Sequence, residues 1–266
     1  NMVYRRKKCR EMFRKVQVYY QQFGGTKTVI RAWEKITRKE TTIYQEWRCR
    51  HCPTRRDLQQ QASHHFAYEP SYAIVVPLYK TRIKFLEEMI SSVREQTYSK
   101  WVLYLSDGSG ENSEVLERIL RYAREDERIR VINNKQALRI VENTNAALEE
   151  VKEDFVVFMD HDDLLAPESL YECTKALNQK PDTDMIYTDE DKVTRDGKTY
   201  YQPHFKSDFN LDLLRSTNYM CHMLVVKKSL MDEVGLLRSE YEGSQDYDFI
   251  LRCVEKTERI VHIPRV

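Results

Sequence analysis

Glycine and proline are scarce in this sequence, with seven of each among 266 residues, which excludes a collagen-like or low-complexity fibre. Long hydrophobic runs are also missing. The longest apolar stretch, residues 73–78, has the length of a strand, whereas a membrane-spanning helix needs about 20 apolar residues. No signal-peptide pattern opens the chain. These absences predict a cytoplasmic protein that is neither secreted nor membrane-spanning.

Cysteine is scarce as well, and four of the six cysteines stand alone in apolar or mixed segments, as is typical of free thiols in a reducing compartment. The other two, Cys49 and Cys52, have CxxC spacing. The histidines that follow, His64 and His65, are adjacent and therefore lack the spacing of a zinc-binding pair. An ordinary loop is the favoured interpretation of the CxxC segment, and a zinc site is the alternative.

Charge is unevenly distributed although the net charge is only +1. Residues 1–56 contain 16 Lys/Arg and four Asp/Glu, whereas the remaining residues contain 27 Lys/Arg and 38 Asp/Glu. A basic segment favours an anionic surface, and nucleic acid or phospholipid headgroups both fit. Because no nucleic-acid-binding motif lies in this segment, we expect no nucleic acid partner. We expect instead peripheral contact with an anionic membrane, on its inner face, or with a partner protein.

Two patterns of hydrophobicity divide the chain. Residues 1–70 show apolar residues at helical spacing and then a polar run at 55–65, which predicts a basic helical extension followed by a linker. In residues 71–266, strand-like runs alternate with helical patterns, which predicts an α/β domain with a mostly parallel sheet flanked by helices. Ligands of such sheets bind at the carboxyl ends of the strands. The predicted strands are 72–78, 101–106, 129–133, 155–159, 185–187 and 223–226.

The clearest chemical signal follows the fourth predicted strand, where Asp160, Asp162 and Asp163 lie within four residues. These carboxylates repel one another unless a cation joins them, and hard oxygen ligands favour Mg²⁺ or Mn²⁺ together with nucleotide phosphates. The alternative is a helix cap, since a helix is predicted to begin at Leu164, but capping accounts for one aspartate only. The second predicted strand also ends in a carboxylate, Asp107.

Two more acidic segments follow later in the chain. Asp189, Glu190 and Asp191 come directly after the fifth predicted strand. Asp246 and Asp248 open a late helix. One of these two aspartates is expected to cap that helix, and the other is a candidate general base that points into a cleft.

The order of these motifs resembles the family 2 glycosyltransferases of the GT-A fold, over residues 71–266. The first half of the resemblance rests on Val76-Pro77-Leu78-Tyr79, Gln96-Thr97-Tyr98, Asp107-Gly108-Ser109, Asn145-Ala146-Ala147-Leu148 and Met159-Asp160-His161-Asp162-Asp163. The second half resembles the bacterial polysaccharide and O-antigen (rhamnosyltransferase-like) branch. It rests on Tyr187-Thr188-Asp189-Glu190-Asp191-Lys192, Pro203-His204-Phe205-Lys206, Asn218-Tyr219, Gln245-Asp246-Tyr247-Asp248 and His262-Ile263-Pro264-Arg265-Val266.

The resemblance implies a nucleotide-sugar donor, with UDP or dTDP as its nucleotide. Pro77 and Tyr79 match the segment whose aromatic ring stacks on the nucleobase, and Asp107 matches the carboxylate that binds the base. Ser106 stands where the family usually has a first aspartate. Arg139 is a candidate contact of the diphosphate.

The same resemblance implies metal-dependent, inverting transfer to a saccharide or lipid-linked acceptor in surface polysaccharide synthesis. Asp160 and Asp162 match the DxD pair that holds Mn²⁺ or Mg²⁺ and the donor, and Asp163 adjoins them. Asp246 matches the base that takes the proton of the acceptor hydroxyl. Residues expected on the sugar or acceptor side are Asp189, Glu190, Asp191 and Asp248.

The chain departs from the family pattern at its end. Family members continue past the last predicted strand into a segment whose histidine helps hold the metal, whereas this sequence stops at Val266. We therefore expect a C-terminally truncated enzyme in which His262 is a structural strand residue. The alternatives are a non-catalytic nucleotide-sugar-binding module and a phosphatase of the haloacid dehalogenase type with an aspartate nucleophile. The motif pattern disfavours the phosphatase because Asp163 follows the second aspartate.

Overall fold

The computed structural model describes residues 39–266, so residues 1–38 of the predicted helical extension lie outside the described residues. The described chain separates into two compact units. The first contains residues 39–52 and Asp191–Pro203, and the second contains Pro53–Glu190 and His204–Val266. The domain boundary between residues 70 and 71 stays a prediction. Across the described residues, no helix is long and apolar enough to cross a bilayer.

Strands and helices alternate along the chain as the sequence predicts. The strands are β1 (Tyr72–Leu78), β2 (Trp101–Asp107), β3 (Ile129–Asn133), β4 (Phe155–Phe158), β5 (Met185–Thr188), β6 (Glu190–Val193), β7 (Tyr200–His204), β8 (Leu224–Lys227) and β9 (Ile260–Ile263). The α-helices are α1 (Lys39–His51), α2 (Arg55–Ala62), α3 (Ile83–Arg94), α4 (Leu116–Glu125), α5 (Ile140–Leu148), α6 (Ser169–Gln179), α7 (Leu211–Ser216), α8 (Lys228–Val234) and α9 (Gln245–Val254).

Seven strands form one sheet in the order β3-β2-β1-β4-β8-β5-β9. Neighbouring strands pair in parallel except around β8, which runs antiparallel to both β4 and β5. The sheet is therefore mostly parallel, which confirms the predicted fold class. Strands β6 and β7 form a separate two-stranded sheet.

Both faces of the large sheet are covered, so β1 is buried along its whole length, as is typical of parallel strands between helix layers. On one face, α3 buries Leu86, Met89, Ile90 and Val93 against a cluster that also contains residues of α4 and α6. On the other face, α5 and α9 contribute to a second apolar cluster. At roughly 1.5–3 kcal/mol for each fully buried large aliphatic side chain, these two clusters hold the strand ends in place.

In the first unit, α1 lies against residues of β6 and β7. Tyr44 donates a hydrogen bond to Asp191 at 2.6 Å, and the amide of Gln45 donates one to the carbonyl of Tyr200. Arg48 forms a salt bridge with Asp191, and its guanidinium lies 3.6 Å from the centre of the Tyr200 ring. The predicted turn at residues 195–198 joins β6 to β7, with Gly197 at a φ of 70°.

Two local expectations were wrong. A third segment, the polar run at 55–65, contains α2, because Thr54 and Asp57 form a capping box that starts a helix there, and its role as a linker stays a prediction. The CxxC segment is not a loop, since Cys49 lies within the last turn of α1. The helix expected at Leu164 begins only at Ser169. Asp160, Asp162 and Asp163 are therefore not helix caps.

Candidate active site

The ends of β1 and β2 form the side of the sheet to which nucleotide binding was assigned. Asp107 is buried, and its carboxylate accepts hydrogen bonds from the Ser109 N–H at 3.0 Å and from the Ser113 hydroxyl. Tyr79, just after β1, exposes 48% of its surface and offers a ring on which a base can stack, whereas Pro77 lies within buried β1. Asp107 therefore shapes the loop after β2, and Tyr79 is the accessible group.

A buried polar network fixes this loop from beneath. Ser106 donates to the side-chain oxygen of Asn143 at 2.8 Å, and Asn143 donates to the carbonyl of Leu78 at 3.0 Å. Asn134 donates to both Ser106 and Asn143 at 3.1 Å. A Cβ at Gly108 would lie 2.8 Å from Asn143, so only glycine fits beside this network. Ser106 thus has a structural partner at the position where the family usually has aspartate.

Arg139 lies at the start of α5 with 75% of its side chain exposed, and it forms a salt bridge of 2.6 Å with Glu242. Its backbone N–H donates to Glu142 at 2.9 Å, which fixes the first turn of the helix. The guanidinium is therefore open to solvent on one side.

The antiparallel strand β8 brings a histidine to the end of β4. Leu224 pairs with Phe158, so residues that precede β8 lie beside residues that follow β4. As a result, Nε2 of His222 is 3.8 Å from Oδ2 of Asp160. One ligand atom from each of Asp160, Asp163 and His222 lies within 4.8 Å of the others. Two carboxylates and an imidazole form a donor set that fits a divalent cation, and the nitrogen ligand favours Mn²⁺ over Mg²⁺.

The electrostatics of this group also fit a cation. Burial raises the pKa of Asp163 to about 6; the nearby His222 opposes the rise, whereas Asp160, Asp162 and Glu190 add to it. Among the described residues, no lysine or arginine forms a salt bridge with Asp160, Asp162 or Asp163. Asp162 is exposed and does not belong to the cluster of three ligand atoms, and its role as a metal ligand stays a prediction.

Asp246 and Asp248 lie two residues apart on α9 but have opposite environments. Burial raises the pKa of Asp246, and the charge of Asp160 adds to the rise while His222 opposes it. Burial by itself would raise the pKa of Asp248, but the hydrogen bonds from Arg238 and Arg252 outweigh this effect and lower the pKa. The structure thus brings Asp246 close to Asp160 and His222, whereas Asp248 is held in salt bridges. The expectation that one of them caps the helix was wrong, because Ser244 occupies the N-cap position and makes no side-chain cap.

The acidic residues after β5 are fully partnered. Asp189 accepts a hydrogen bond from the Lys206 N–H at 2.8 Å and lies 2.8 Å from Nε2 of His262. This contact is consistent with the expectation that His262 is a structural strand residue. Glu190 accepts from the His222 N–H at 2.6 Å and from Nζ of Lys206 at 3.1 Å. Burial opposes the ionisation of Glu190, but Lys206, His222 and His204 together lower its pKa. Asp191 belongs to the first unit, where Tyr44 and Arg48 bind it.

Sequence reasoning missed His222, which stands four residues after the quoted Asn218. The family resemblance places a metal-binding histidine only in a segment after the last strand, so it does not point to His222. No local signal in the sequence marks His222, because it reaches Asp160 through the direction of β8: an antiparallel strand beside β4 places its preceding residues at the carboxyl end of the sheet.

With this geometry in view, comparisons with known proteins define the class. Residues 73–235 match the model of "Glycosyl transferase family 2". The chain belongs to this family, and the phosphatase alternative is thereby set aside.

The chain is 40% identical over 199 residues to an uncharacterized protein, y4gI, of Sinorhizobium fredii, covering 74% of this chain and 22% of the relative. It is 35% identical over 221 residues to the O-antigen biosynthesis protein RfbC of Myxococcus xanthus, covering 83% of this chain and 17% of that protein. The chain thus spans about a fifth of these relatives.

Solved structures support the fold. S. aureus TarS 1-349 in complex with UDP-GlcNAc has a TM-score of 0.61 at 17% identity, covering 74% of this chain and 56% of the TarS 1-349 chain. The mannosyltransferase PcManGT of Pyrobaculum calidifontis, in complex with GDP-Man and Mn²⁺, has a TM-score of 0.57 at 17% identity, covering 85% of this chain and 63% of PcManGT. Both are similar to this chain in architecture, which is that of GT-A glycosyltransferases.

Proposed function

We propose that this chain is the catalytic part of a metal-dependent, inverting glycosyltransferase. It would move a sugar from a nucleoside-diphosphate donor to a saccharide or lipid-linked acceptor in surface polysaccharide synthesis. One observation carries the proposal: Asp160, Asp163 and His222 converge at the carboxyl edge of the sheet, with Asp246 beside them and raised in pKa. Membership in a glycosyltransferase family supplies the reaction class.

Asp160, Asp163 and His222 would hold Mn²⁺, and Asp162, exposed next to them, would face the donor diphosphate or share in metal binding. When bound, the cation neutralises the charge that develops on the nucleoside diphosphate as it leaves. Positive charge there also lowers the pKa of neighbouring Asp246 toward its ionised form.

Asp246 would act as the general base. Its carboxylate lies close enough to Asp160 for the two charges to interact, yet it is half-buried and has no salt bridge to lysine or arginine among the described residues. Gln245 donates to its Oδ2 at 3.0 Å, which orients the carboxylate. An ionised Asp246 can accept the acceptor's hydroxyl proton while that oxygen attacks the anomeric carbon, so a single displacement needs no covalent nucleophile.

The donor would extend from this cluster toward the ends of β1 and β2. Tyr79 presents an exposed ring for base stacking, Asp107 holds the loop after β2, and Arg139 offers an exposed guanidinium to the diphosphate. We propose UDP or dTDP as the nucleotide of the donor. The complexes of TarS with UDP-GlcNAc and of PcManGT with GDP-Man support a nucleotide-sugar donor in general. The similarity to RfbC supports a role in O-antigen or related polysaccharide assembly.

The sugar or acceptor side stays a prediction for Asp189, Glu190, Asp191 and Asp248, all of which have internal partners. Contact of residues 1–56 with an anionic membrane or a partner protein also stays a prediction, because most of this segment lies outside the described residues.

The proposal is tested with the purified chain, a panel of UDP-, dTDP- and GDP-sugars, and either Mn²⁺ or a chelator. We expect one donor to raise the melting temperature only when Mn²⁺ is present, and to release its nucleoside diphosphate when acceptor is added. Asp160→Asn should abolish the Mn²⁺-dependent part, whereas Asp182→Asn, at an exposed aspartate in the loop before β5, should behave as wild type. Equal stabilisation with chelator, in the wild type and in Asp160→Asn, would show that metal is not needed. The anomeric configuration of the product, measured by NMR, tests inversion.

A further inference from the structure

A lysine is completely buried beside the candidate metal cluster. Lys206 has no exposed side-chain surface, although lysine is among the residues least often buried. Its Nζ donates to the carbonyl of Cys221 at 3.0 Å and to the carbonyl of His222 at 2.9 Å. It also forms a salt bridge of 3.1 Å with Glu190. These three acceptors use all three donors of the ammonium group.

Two of the three acceptors belong to the backbone that carries His222. The third, Glu190, closes the arrangement, because the same carboxylate oxygen accepts the backbone N–H of His222 at 2.6 Å. The N–H and C=O of His222 are therefore both held, from two directions, by one ion pair. We call this arrangement of Lys206, Glu190 and the backbone of residues 221–222 the histidine clamp.

The clamp determines where the imidazole can lie. His222 belongs to the loop that leads into β8, and the imidazole itself is 41% exposed, so side-chain packing restrains it only in part. A ligand must be held within about 0.5 Å of its working geometry to bind a metal well. With the side chain half in solvent, fixation of the backbone is the main restraint that this structure offers.

We propose that Lys206 is a positioning residue that orients His222 toward Asp160 and Asp163 through the histidine clamp. The inference rests on the proposed function, because it assumes that His222 binds the cation there. Removal of an outer partner of a metal ligand typically costs about ten- to hundred-fold in metal affinity, and we expect a loss of that size for Lys206→Met. Lys206→Arg should restore part of the affinity, since it keeps charge and donors.

The test uses the full chain, Mn²⁺ alone as the probe, and two readouts besides activity. Electron paramagnetic resonance titration gives the Mn²⁺ dissociation constant, and electron spin-echo modulation from ¹⁴N reports an imidazole ligand. In the wild type we expect ¹⁴N modulation. In Lys206→Met we expect weaker binding with the modulation reduced or lost, and circular dichroism that matches wild type. Lys228→Met, a matched change at a lysine on α8 that pairs with Asp232, should leave both readouts unchanged.

The clamp proposal is overturned if Lys206→Met binds Mn²⁺ with wild-type affinity and retains full ¹⁴N modulation. If Lys206→Met does not fold, Lys206→Gln, which keeps two amide N–H donors but no charge, is measured in the same way, and wild-type values there reject the proposal equally. A wild-type chain that binds no Mn²⁺ overturns the metal site itself and the clamp with it. If the wild type shows ¹⁴N modulation and the Lys206 variants match it in Mn²⁺ affinity and in modulation, the clamp proposal alone is overturned.

Discussion

Two acidic segments, one after β4 and one after β5, look alike in the sequence but differ in their surroundings. After β5, Glu190 is bound by Lys206 and by the N–H of His222, and its pKa is lowered. After β4, the pKa of Asp163 is raised to about 6, chiefly because of its burial. The segment after β5 has cations and hydrogen-bond donors of its own, whereas the segment after β4 brings negative charges together with a single histidine. The difference teaches that a missing internal cation, rather than the number of carboxylates, marks a place for a metal ion.

The same contrast recurs on α9, and a matched pair of substitutions would test it with the largest expected effect. Asp246→Asn should lower kcat by about 10²- to 10⁴-fold, the usual contribution of a general base, while the KM for the donor changes little. Asp248→Asn should lower the melting temperature by breaking the salt bridges to Arg238 and Arg252, and should spare most of the turnover. Steady-state kinetics and thermal unfolding of both variants measure these two effects. If Asp246→Asn keeps turnover within about ten-fold of wild type, the base lies elsewhere.

The pKa of Asp163 gives a pH dependence of intermediate size. A carboxylate must be ionised to bind a metal, and without metal this group is ionised only above pH 6 or so. Mn²⁺ affinity should therefore be roughly constant above that pH and fall below it, by up to about ten-fold for each pH unit. Titrations between pH 5 and 8 measure this slope. Asp163→Asn should bind Mn²⁺ more weakly and with a flatter pH profile, and an unchanged slope in this variant would assign the proton to another group.

The smallest expected effects are on the free energy of unfolding, and substitutions in the two acidic segments should change it in opposite directions. The folded pKa of Asp163 lies above its ordinary value, so this group costs stability progressively from about pH 4 to about pH 6, and the full cost is present above pH 6. Metal-free Asp163→Asn should be more stable than wild type at pH 7, by about 1 kcal/mol, and the gain should vanish near pH 4. The folded pKa of Glu190 is lowered. Its ionised form therefore contributes to stability at pH values above its ordinary pKa, and this contribution is lost as the pH falls through the folded pKa.

Glu190→Gln should accordingly lower the stability at pH 7 by about 1 kcal/mol, because the variant keeps the shape of the side chain but loses charge-assisted hydrogen bonds. Urea unfolding with chelator, at pH 7 and pH 4, measures both variants. If the two substitutions change the free energy of unfolding in the same direction at pH 7, the contrast between the two acidic segments is not electrostatic.

The elements that could be predicted are those with strong local signals. All six predicted strands appear within a few residues of their expected bounds, because continuous apolar runs persist over whole strands. The helix at Arg55–Ala62 was not predicted, because the polar composition of this run outweighed a capping box at Thr54. Local sequence could also indicate that Asp160, Asp162 and Asp163 favour a cation, since their charges crowd one short segment.

The sequence by itself determined the alternation of strands and helices, the family motifs and the carboxylates at the strand ends, since each depends on neighbours along the chain. Tertiary structure alone decided that β8 runs against β4 and so sets His222 beside Asp160, more than sixty positions earlier. It also decided which acidic residues meet a lysine or arginine and which do not, as Asp246 and Asp248 show. The reason is that pairing between charges depends on distance in space, which strand direction and helix packing set and which spacing in sequence does not.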